Sequence, residues 1–273
     1  TTSLPARQAF EAGTAALNAW NLASADSEFV VATAHDPEYA QAHLWLALVR
    51  SWTQPSTPAG WRSATERAAA RREALSARDR RISDAVLASA KGDYATACST
   101  WRSLAAAHEY DFVVWYGLAT CLRDDHAVVP DPRSPTGWRF RSSYHEAINA
   151  YEQAYRLLPS IHQAFSQGSF AAVVELLLAG GTQLRGGRAL PPDSTDFFAW
   201  PSWAGDTLVL YPAPYAQLAR TPTTEEAIHR QRQRVLRFAQ AWVAAFPESA
   251  DALHSLAIAL QILGDRTALD TIV

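Results

Sequence analysis

One spacing of small, aromatic and proline residues recurs along this chain and limits what it can fold into. It occurs as Ala25, Phe29, Ala32 and Pro37, again as Ala147, Tyr151, Ala154 and Pro159, and more weakly as Ala97, Trp101 and Leu104, with Glu109 in the proline's place. Steps of three and four place these side chains on one helix face, and a proline after the last turn ends the helix. The sequence therefore predicts several helices of one design.

A second apolar segment with a small residue lies upstream of each of these helices. The small residues are Gly13 in FEAGTAAL, Ala47 in HLWLALV, Ala85 in ISDAVLA and Gly117 in VVWYGLAT. Each unit is therefore predicted to be a helical hairpin. This pattern resembles the tetratricopeptide repeat (TPR), a 34-residue unit with a small residue in its first helix and alanine, aromatic and proline in and after its second. Residues 6–39 and the helix at 142–159 match it most clearly.

The resemblance implies an all-α fold, a TPR-like α-solenoid of about five to six helical hairpins in a single domain, 1–273. The predicted units are residues 6–39, 40–77, 78–109, 110–159, 160–247 and a partial unit at 248–273. Two units exceed the standard length because of insertions at 124–140 and 180–222. We expect the longer insertion to be irregular, with a short strand at DTLVLYP.

Residues 75–160 also resemble the C-terminal TPR region of bacterial serine/threonine kinases and related regulators. The stretches LSARDRRISDAVLASAKGDYATACSTWRSL and WYGLATCLRDDH carry this resemblance. The chain lacks the Gly-rich loop, HRD and DFG motifs of a kinase domain. The resemblance therefore implies a fold and a location, not phosphoryl transfer.

The two cysteines allow two interpretations. Cys98 lies eleven residues before Glu109 and Cys121 lies twelve residues after it. If the connection between the helices is centred there, the thiols lie at the same level of an antiparallel pair and could form a disulfide. The alternative is two small buried residues that fill helix contacts. A bond would support an oxidising compartment.

The chain contains no methionine, even at residue 1, and it stops inside an expected helix. We therefore expect a processed protein whose N-terminal signal or anchor is missing, which favours a periplasmic or otherwise extracytoplasmic location. A trimmed cytoplasmic protein would look the same. No segment is long and apolar enough to span a bilayer: FAAVVELLLAG reaches about half of the ~20 residues needed and contains Glu175.

No residue pattern in the chain indicates catalysis, a metal site or a cofactor site. The eight histidines fall in no ligand or catalytic spacing, and no serine occurs as GxSxG. QLRGGRAL lacks the lysine of a phosphate loop and is better explained as a hairpin turn. The net charge of −3, with acidic residues among the arginines of WRSATERAAARREALSARDRR, gives no reason to expect nucleic acid. We predict a protein without enzymatic activity.

The candidate partner-binding residues lie on two surfaces. In TPR proteins the first helices line a concave groove, and the matching positions are Phe10, Thr14, Leu44, Leu48, Val114 and Leu118. Such an apolar groove must be covered, either by the insertion 180–222 or by a partner. The insertion supplies aromatic candidates of its own: Phe197, Phe198, Trp200, Trp203 and Tyr211. The proline-rich insertion 124–140 is either a packed loop or a ridge that sets docking orientation.

Three functions remain from the sequence. The first is a protein-protein interaction scaffold, an extracytoplasmic accessory subunit that docks onto other protein subunits of a larger, membrane-associated complex. The second is the ligand- or peptide-sensing TPR region of a signalling kinase or regulator. The third, least supported by the residues, is an enzyme that uses 180–222 as a lid.

Overall fold

The computed structural model describes residues 3–53, 58–125, 127–130, 132, 138–142, 144–158, 197–204, 207–212 and 225–263. In these ranges helices α1 to α10 occupy Leu4–Asn18, Leu22–His35, Ala40–Thr53, Pro58–Ala70, Ala77–Ala90, Tyr94–Ala107, Phe112–Asp124, Tyr144–Leu157, Glu225–Ala245 and Ala250–Leu263. Strands β1 to β4 occupy Val128–Pro130, Trp138–Phe140, Phe197–Ala204 and Thr207–Pro212. A short 3-10 turn, Arg72–Ala74, follows α4. The predicted turn at QLRGGRAL lies outside the described residues.

Polar side chains begin many of these helices. The side-chain oxygens of Ser3, Asn21, Ser76 and Asp93 each accept a hydrogen bond from the backbone N–H three residues later. The donors are Ala6 at 3.3 Å and Ser24, Asp79 and Thr96 at 3.1 Å. The first N–H groups of a helix have no partner within it, and a side-chain oxygen just before the helix supplies one. These caps explain why α1, α2, α5 and α6 start where they do.

The chain divides into two compact units. The first comprises residues 1–121 and 156–161, and the second comprises 122–155 and 162–273. In the first unit α1 packs against α2, α3 against α4, and α5 against α6, which are the hairpins that the repeated spacing predicts. The limits of the six repeat units and the single-domain assignment stay predictions.

Two glycines show why small residues recur on the first helices. A Cβ atom on Gly13 would lie 2.7 Å from the ring of Phe29, and one on Gly117 would lie 2.7 Å from the ring of Trp101. Both rings are buried, so each occupies the space that a larger residue would need. The first contact joins the helices of one hairpin. The second joins α7 to α6, the helix before it.

The helices of the second unit share a core of their own. Its buried members are Ile148, Val235, Phe238, Ala239, Trp242, Ala252 and Ala259. On α9 the buried residues follow steps of three and one, from Val235 to Trp242, and so occupy one helix face. The core therefore lies between α8, α9 and α10.

Both insertions contribute to one four-stranded antiparallel sheet with the order β1-β2-β4-β3. The two insertions meet where β2 pairs with β4, with Arg139 opposite Val209. The strand predicted at DTLVLYP is present as β4. Strands β1 and β2 are not predicted from the sequence because three residues each are too few to show an alternating pattern.

Strand β3 also escapes prediction. It contains Pro201, which cannot donate a ladder hydrogen bond and argues against a strand in sequence. In the structure the register between β3 and β4 shifts between Ala199 and Trp203, and Pro201 lies inside that irregular stretch. β3 is also an edge strand, where proline is tolerated.

Candidate protein-interaction surface

The protein itself encloses four of the predicted groove residues. Leu44 and Leu48 on α3 are 0% and 1% exposed, and Val114 and Leu118 on α7 are 0% and 3% exposed. Ten of the 14 residues of α3 are buried, and the four that are not buried are all polar. A partner cannot contact these side chains, so the prediction that they bind one directly is corrected. Apolar spacing alone does not distinguish an open groove from a filled one.

Phe10 and Thr14 on α1 are only partly buried. The Phe10 ring centroid lies 5.6 Å from that of Phe29 and 5.2 Å from that of Tyr39. The Thr14 hydroxyl donates a hydrogen bond to the Phe10 carbonyl over 2.9 Å. At this end of the first unit, predicted groove positions do reach the surface.

A charged network ties three first helices together at their N-terminal ends. The Arg78 guanidinium on α5 binds Asp111, just before α7, and the adjacent Asp79, each at 2.5 Å. It also lies 5.9 Å from the ring centroid of Trp45 on α3, and Gln41 donates to Asp79 over 3.4 Å. Burial alone would lower the pKa of Arg78, but the two carboxylates outweigh it and raise that pKa. Arg78 is therefore a fixed cation that holds the helices in register.

An aromatic brace, formed by Trp20, Trp52 and Tyr116, joins the α1–α2 turn to α3 and α7. The Trp20 ring stacks on Trp52 at 5.6 Å and meets Tyr116 edge-on at 4.9 Å, and Trp52 meets Tyr116 at 5.2 Å. Trp20 has a φ of 55°, in the left-handed region. A tryptophan in this conformation is strained, so the contacts that its ring makes must outweigh that strain.

A disulfide links α6 to α7. The Cα atoms of Cys98 and Cys121 are 5.5 Å apart and the sulfurs are bonded. Both residues are buried. The cysteine spacing allowed either a disulfide or two separate buried thiols, and in the structure the two cysteines form the disulfide. The bond lies one turn from Gly117, where α7 packs against Trp101 of α6, so it ties the two helices together beside that contact.

A buried carboxylate closes the base of the insertion 124–140. Asp125 accepts hydrogen bonds from the Arg141 guanidinium at 2.6 and 2.8 Å and from the Ser142 hydroxyl at 2.7 Å. The Ala127 N–H adds a further bond over 3.2 Å. Burial by itself would raise the pKa of Asp125, but these donors outweigh it and hold the pKa below its usual range. This clip joins the two ends of the insertion that carries β1 and β2.

The aromatic candidates of the longer insertion lie on neighbouring strands. Phe197, Phe198, Trp200 and Trp203 belong to β3, and Tyr211 belongs to β4. Phe198 is opposite Tyr211 in the strand register. The backbone therefore brings all five residues to one β-hairpin.

Several apolar side chains are exposed at positions that were not predicted to bind a partner. In the described part of the chain these are Leu4 at 59%, Val30 at 39%, Val31 at 43%, Tyr110 at 82% and Ile258 at 39% exposure. Val30 and Val31 lie between the buried repeat positions Phe29 and Ala32. The signal was available, because the residues beside a buried helical stripe point away from it.

No group of histidine, cysteine or acidic side chains among the described residues could hold a metal ion. Likewise, none of the helices described has both the length and the apolar character that a bilayer crossing requires.

Neither a protein-family model nor a curated protein matches the sequence. Solved structures do resemble the fold. The human IFIT1 dimer with m7Gppp-AAAA matches with a TM-score of 0.52 and 11% identity, over 93% of this chain and 47% of that one. This chain therefore spans about half the length of IFIT1.

Two other structures match with lower scores. YrrB, a TPR protein with an unusual peptide-binding site, gives a TM-score of 0.37 at 11% identity, over 89% of this chain and 87% of that one. A TPR protein from Parabacteroides merdae gives 0.38 at 9% identity, over 99% and 78%. Together with the packed hairpins, the IFIT1 match shows that this chain has the predicted all-α, TPR-like helical-repeat fold.

Proposed function

We propose that the chain is a non-catalytic scaffold for protein-protein interaction, an extracytoplasmic accessory subunit that docks onto a larger, membrane-associated complex. The observation that carries this proposal is the bracing between hairpins in the first unit. The Arg78 network, the aromatic brace and the disulfide each connect helices of different hairpins. A framework that is already rigid before a partner binds loses less entropy on binding, and ties of this kind make the first unit such a framework.

The proposed contact surface is the hairpin of β3 and β4. It concentrates five aromatic residues within 197–212, and aromatic residues are the commonest energetic anchors of protein interfaces. Its pairing with β2 joins it to the insertion 124–140, whose base the Asp125 clip closes. The hairpin is thus attached to a second insertion, which favours a fixed docking ridge over a free loop.

The buried disulfide supports the extracytoplasmic part of the proposal. Disulfides form and persist mainly in oxidising compartments, and cytosolic ones in most organisms are transient or catalytic. The Cys98–Cys121 bond is buried, which is unlike the exposed sites of catalytic or sensing cysteines. The kinase-sensor alternative has no comparable observation in its favour and stays a prediction.

The interaction part is tested by capture from native membranes with a matched pair of variants. In the first variant, called the β3 variant, Trp200 and Trp203 are replaced by serine. In the control variant, the exposed Val30 and Val31 on α2 are replaced by serine. We expect the wild type and the control to retain one stoichiometric set of partner subunits, and the β3 variant to lose it while its circular dichroism is unchanged. Equal retention by both variants refutes the proposed surface, and no stoichiometric partner for the wild type refutes the scaffold.

The location is tested separately by trapping thiols in intact cells. Cells are quenched with acid, and the protein is alkylated under denaturing conditions before and after reduction. An extracytoplasmic protein gives no alkylated Cys98 or Cys121 until reductant is added. Alkylation of both before reduction would place the protein in a reducing compartment.

A further inference from the structure

His43 is a buried histidine that connects α3 to the turn before it. Its side chain is on α3, and the residue is 3% exposed. The ring Nε2 lies 2.9 Å from the Pro37 carbonyl oxygen, and Nδ1 is buried without a hydrogen-bond partner. Because a carbonyl oxygen only accepts, Nε2 must carry the hydrogen. Neutral His43 then has its lone pair on Nδ1, which needs no acceptor.

The surroundings of His43 favour this neutral form. Burial is the largest influence and lowers the pKa of the imidazole; the Pro37 carbonyl raises it, Arg67 on α4 lowers it and Asp36 raises it. The pKa is below its ordinary value because burial and Arg67 prevail. A proton on Nδ1 would add a buried donor with no acceptor and a second positive charge facing Arg67.

The turn that His43 holds connects the first two hairpins. The Asp36 carboxylate accepts from the Glu38 N–H over 3.1 Å, and Glu38 forms an ion pair with Arg71 at the end of α4. Tyr39, the last residue of the turn, packs on Phe10 of α1. Release of the turn would therefore loosen α1 and α2 from α3 and α4.

We propose that His43 is an acid-sensitive latch. Protonation at Nδ1 creates a buried N–H donor with no acceptor, so the charged ring is more stable in solvent than in the core. When the ring leaves the core, its Nε2–H bond to the Pro37 carbonyl is lost, the turn at residues 36–39 is freed, and the first hairpin loosens from the second. This regulation is independent of the scaffold proposal, since it concerns the turn and not the partner surface.

The sign of the effect follows from the direction of the pKa shift. A histidine whose folded pKa is depressed stabilises the fold fully above its unfolded pKa of about 6.5, and this stabilisation is lost as pH falls from that value through the folded pKa. Between the unfolded and folded pKa values, this histidine raises the equilibrium constant for unfolding about tenfold for each unit by which the pH falls.

The test compares His43→Gln with His35→Gln, an exposed histidine on α2. Glutamine keeps an Nε2–H donor for Pro37 and does not titrate. Urea unfolding is measured from pH 7.5 to 4.5. We expect the free energy of unfolding to fall equally with decreasing pH in the wild type and the His35 variant. In the His43 variant it should fall less steeply, by the slope that uptake of one proton on unfolding contributes. Identical slopes for all three proteins overturn the proposal.

Two measurements on the wild type are independent of whether the variants fold. In a proton NMR titration, the His43 ring signals should remain those of neutral imidazole at pH values below the ordinary histidine pKa of about 6.5. His43 signals that have already shifted to those of the charged ring at that pH contradict the latch. Hydrogen exchange tests the opening itself. The Tyr39 amide, bonded to Asp36, should lose protection at acid pH before the Asp93 amide in the α5–α6 turn does, and equal loss at both turns contradicts a local latch.

Discussion

Replacing Trp20 by alanine and by glycine separates the strain in its backbone from the packing of its ring. Trp20 has a φ of 55°, and the α5–α6 turn has Gly92 with a φ of 78°. Glycine adopts this conformation freely, whereas any other residue loses about 1–2 kcal/mol. The Trp20 ring is 5% exposed and packs on two aromatic rings. Truncating a ring buried in this way costs about 3–5 kcal/mol.

The two substitutions should therefore differ in a predictable direction. Trp20→Ala loses the packing and keeps the strain, so we expect a loss of about 3–5 kcal/mol in the free energy of unfolding. Trp20→Gly loses the same packing and relieves the strain. After the greater entropy of glycine in the unfolded chain is subtracted, it should be about 0.5–1 kcal/mol more stable than Trp20→Ala. Urea unfolding followed by far-ultraviolet circular dichroism measures both.

Two neighbouring substitutions are the controls. Ala19 precedes Trp20 with a φ of −83°, so Ala19→Gly should destabilise by about 0.5–1 kcal/mol. Gly92→Ala should cost about 1–2 kcal/mol from the backbone alone, because a Cβ there has nothing within 4 Å. If Trp20→Gly is less stable than Trp20→Ala, as in the Ala19 case, the strain argument is refuted. If both Trp20 variants stay within about 1 kcal/mol of wild type, the brace is energetically minor.

Three further substitutions test other contacts. Replacing Cys98 and Cys121 together by alanine should lower the free energy of unfolding, measured in urea, by about 3 kcal/mol, because the disulfide closes a loop of 23 residues. Two reactive thiols in the unfolded wild type without reductant would show that the bond is absent. Asp125→Asn should cost about 1.5–3 kcal/mol near neutral pH. Because the folded pKa of Asp125 is depressed, its stabilisation is present above the unfolded pKa and lost as pH falls through the folded one; unchanged acid unfolding curves in the variant would refute this. Gly117→Ala should lower the midpoint of thermal unfolding. Overpacking against Trp101 costs about 1–3 kcal/mol, which exceeds the gain of about 0.5–1 kcal/mol from replacing a glycine within a helix. A higher midpoint would show that the Trp101 ring moves aside.

The hairpins were predictable because their signal is local and repeated. A small residue, an aromatic and a small residue at steps of four and three indicate the buried helix face directly, and Phe29 and Tyr151 are both fully buried. Strand β3 was not predictable from the sequence, because Pro201 argues locally against a strand. Only the irregular pairing with β4 accommodates this proline.

The candidate site was predictable to a smaller extent. The cysteine spacing allowed the disulfide that the structure has. The apolar character of Leu44 on its first helix fits a groove and a core equally well, and its burial depends on how neighbouring helices pack. The same limit applies to Trp20, whose left-handed backbone has no local signal and depends on Trp52, 32 positions away.

The pairing of β2 with β4 also orders events during synthesis of the chain. Arg139 and Val209 are 70 positions apart, whereas only seven residues separate β1 from β2. The entropy lost on closing a flexible loop grows as (3/2)RT ln n, so the long closure costs about 2 kcal/mol more than the short one. On a ribosome the first strand pair can form long before the second emerges. Docking of the two hairpins is therefore a late step, and the unit that contains them matures after the N-terminal hairpins.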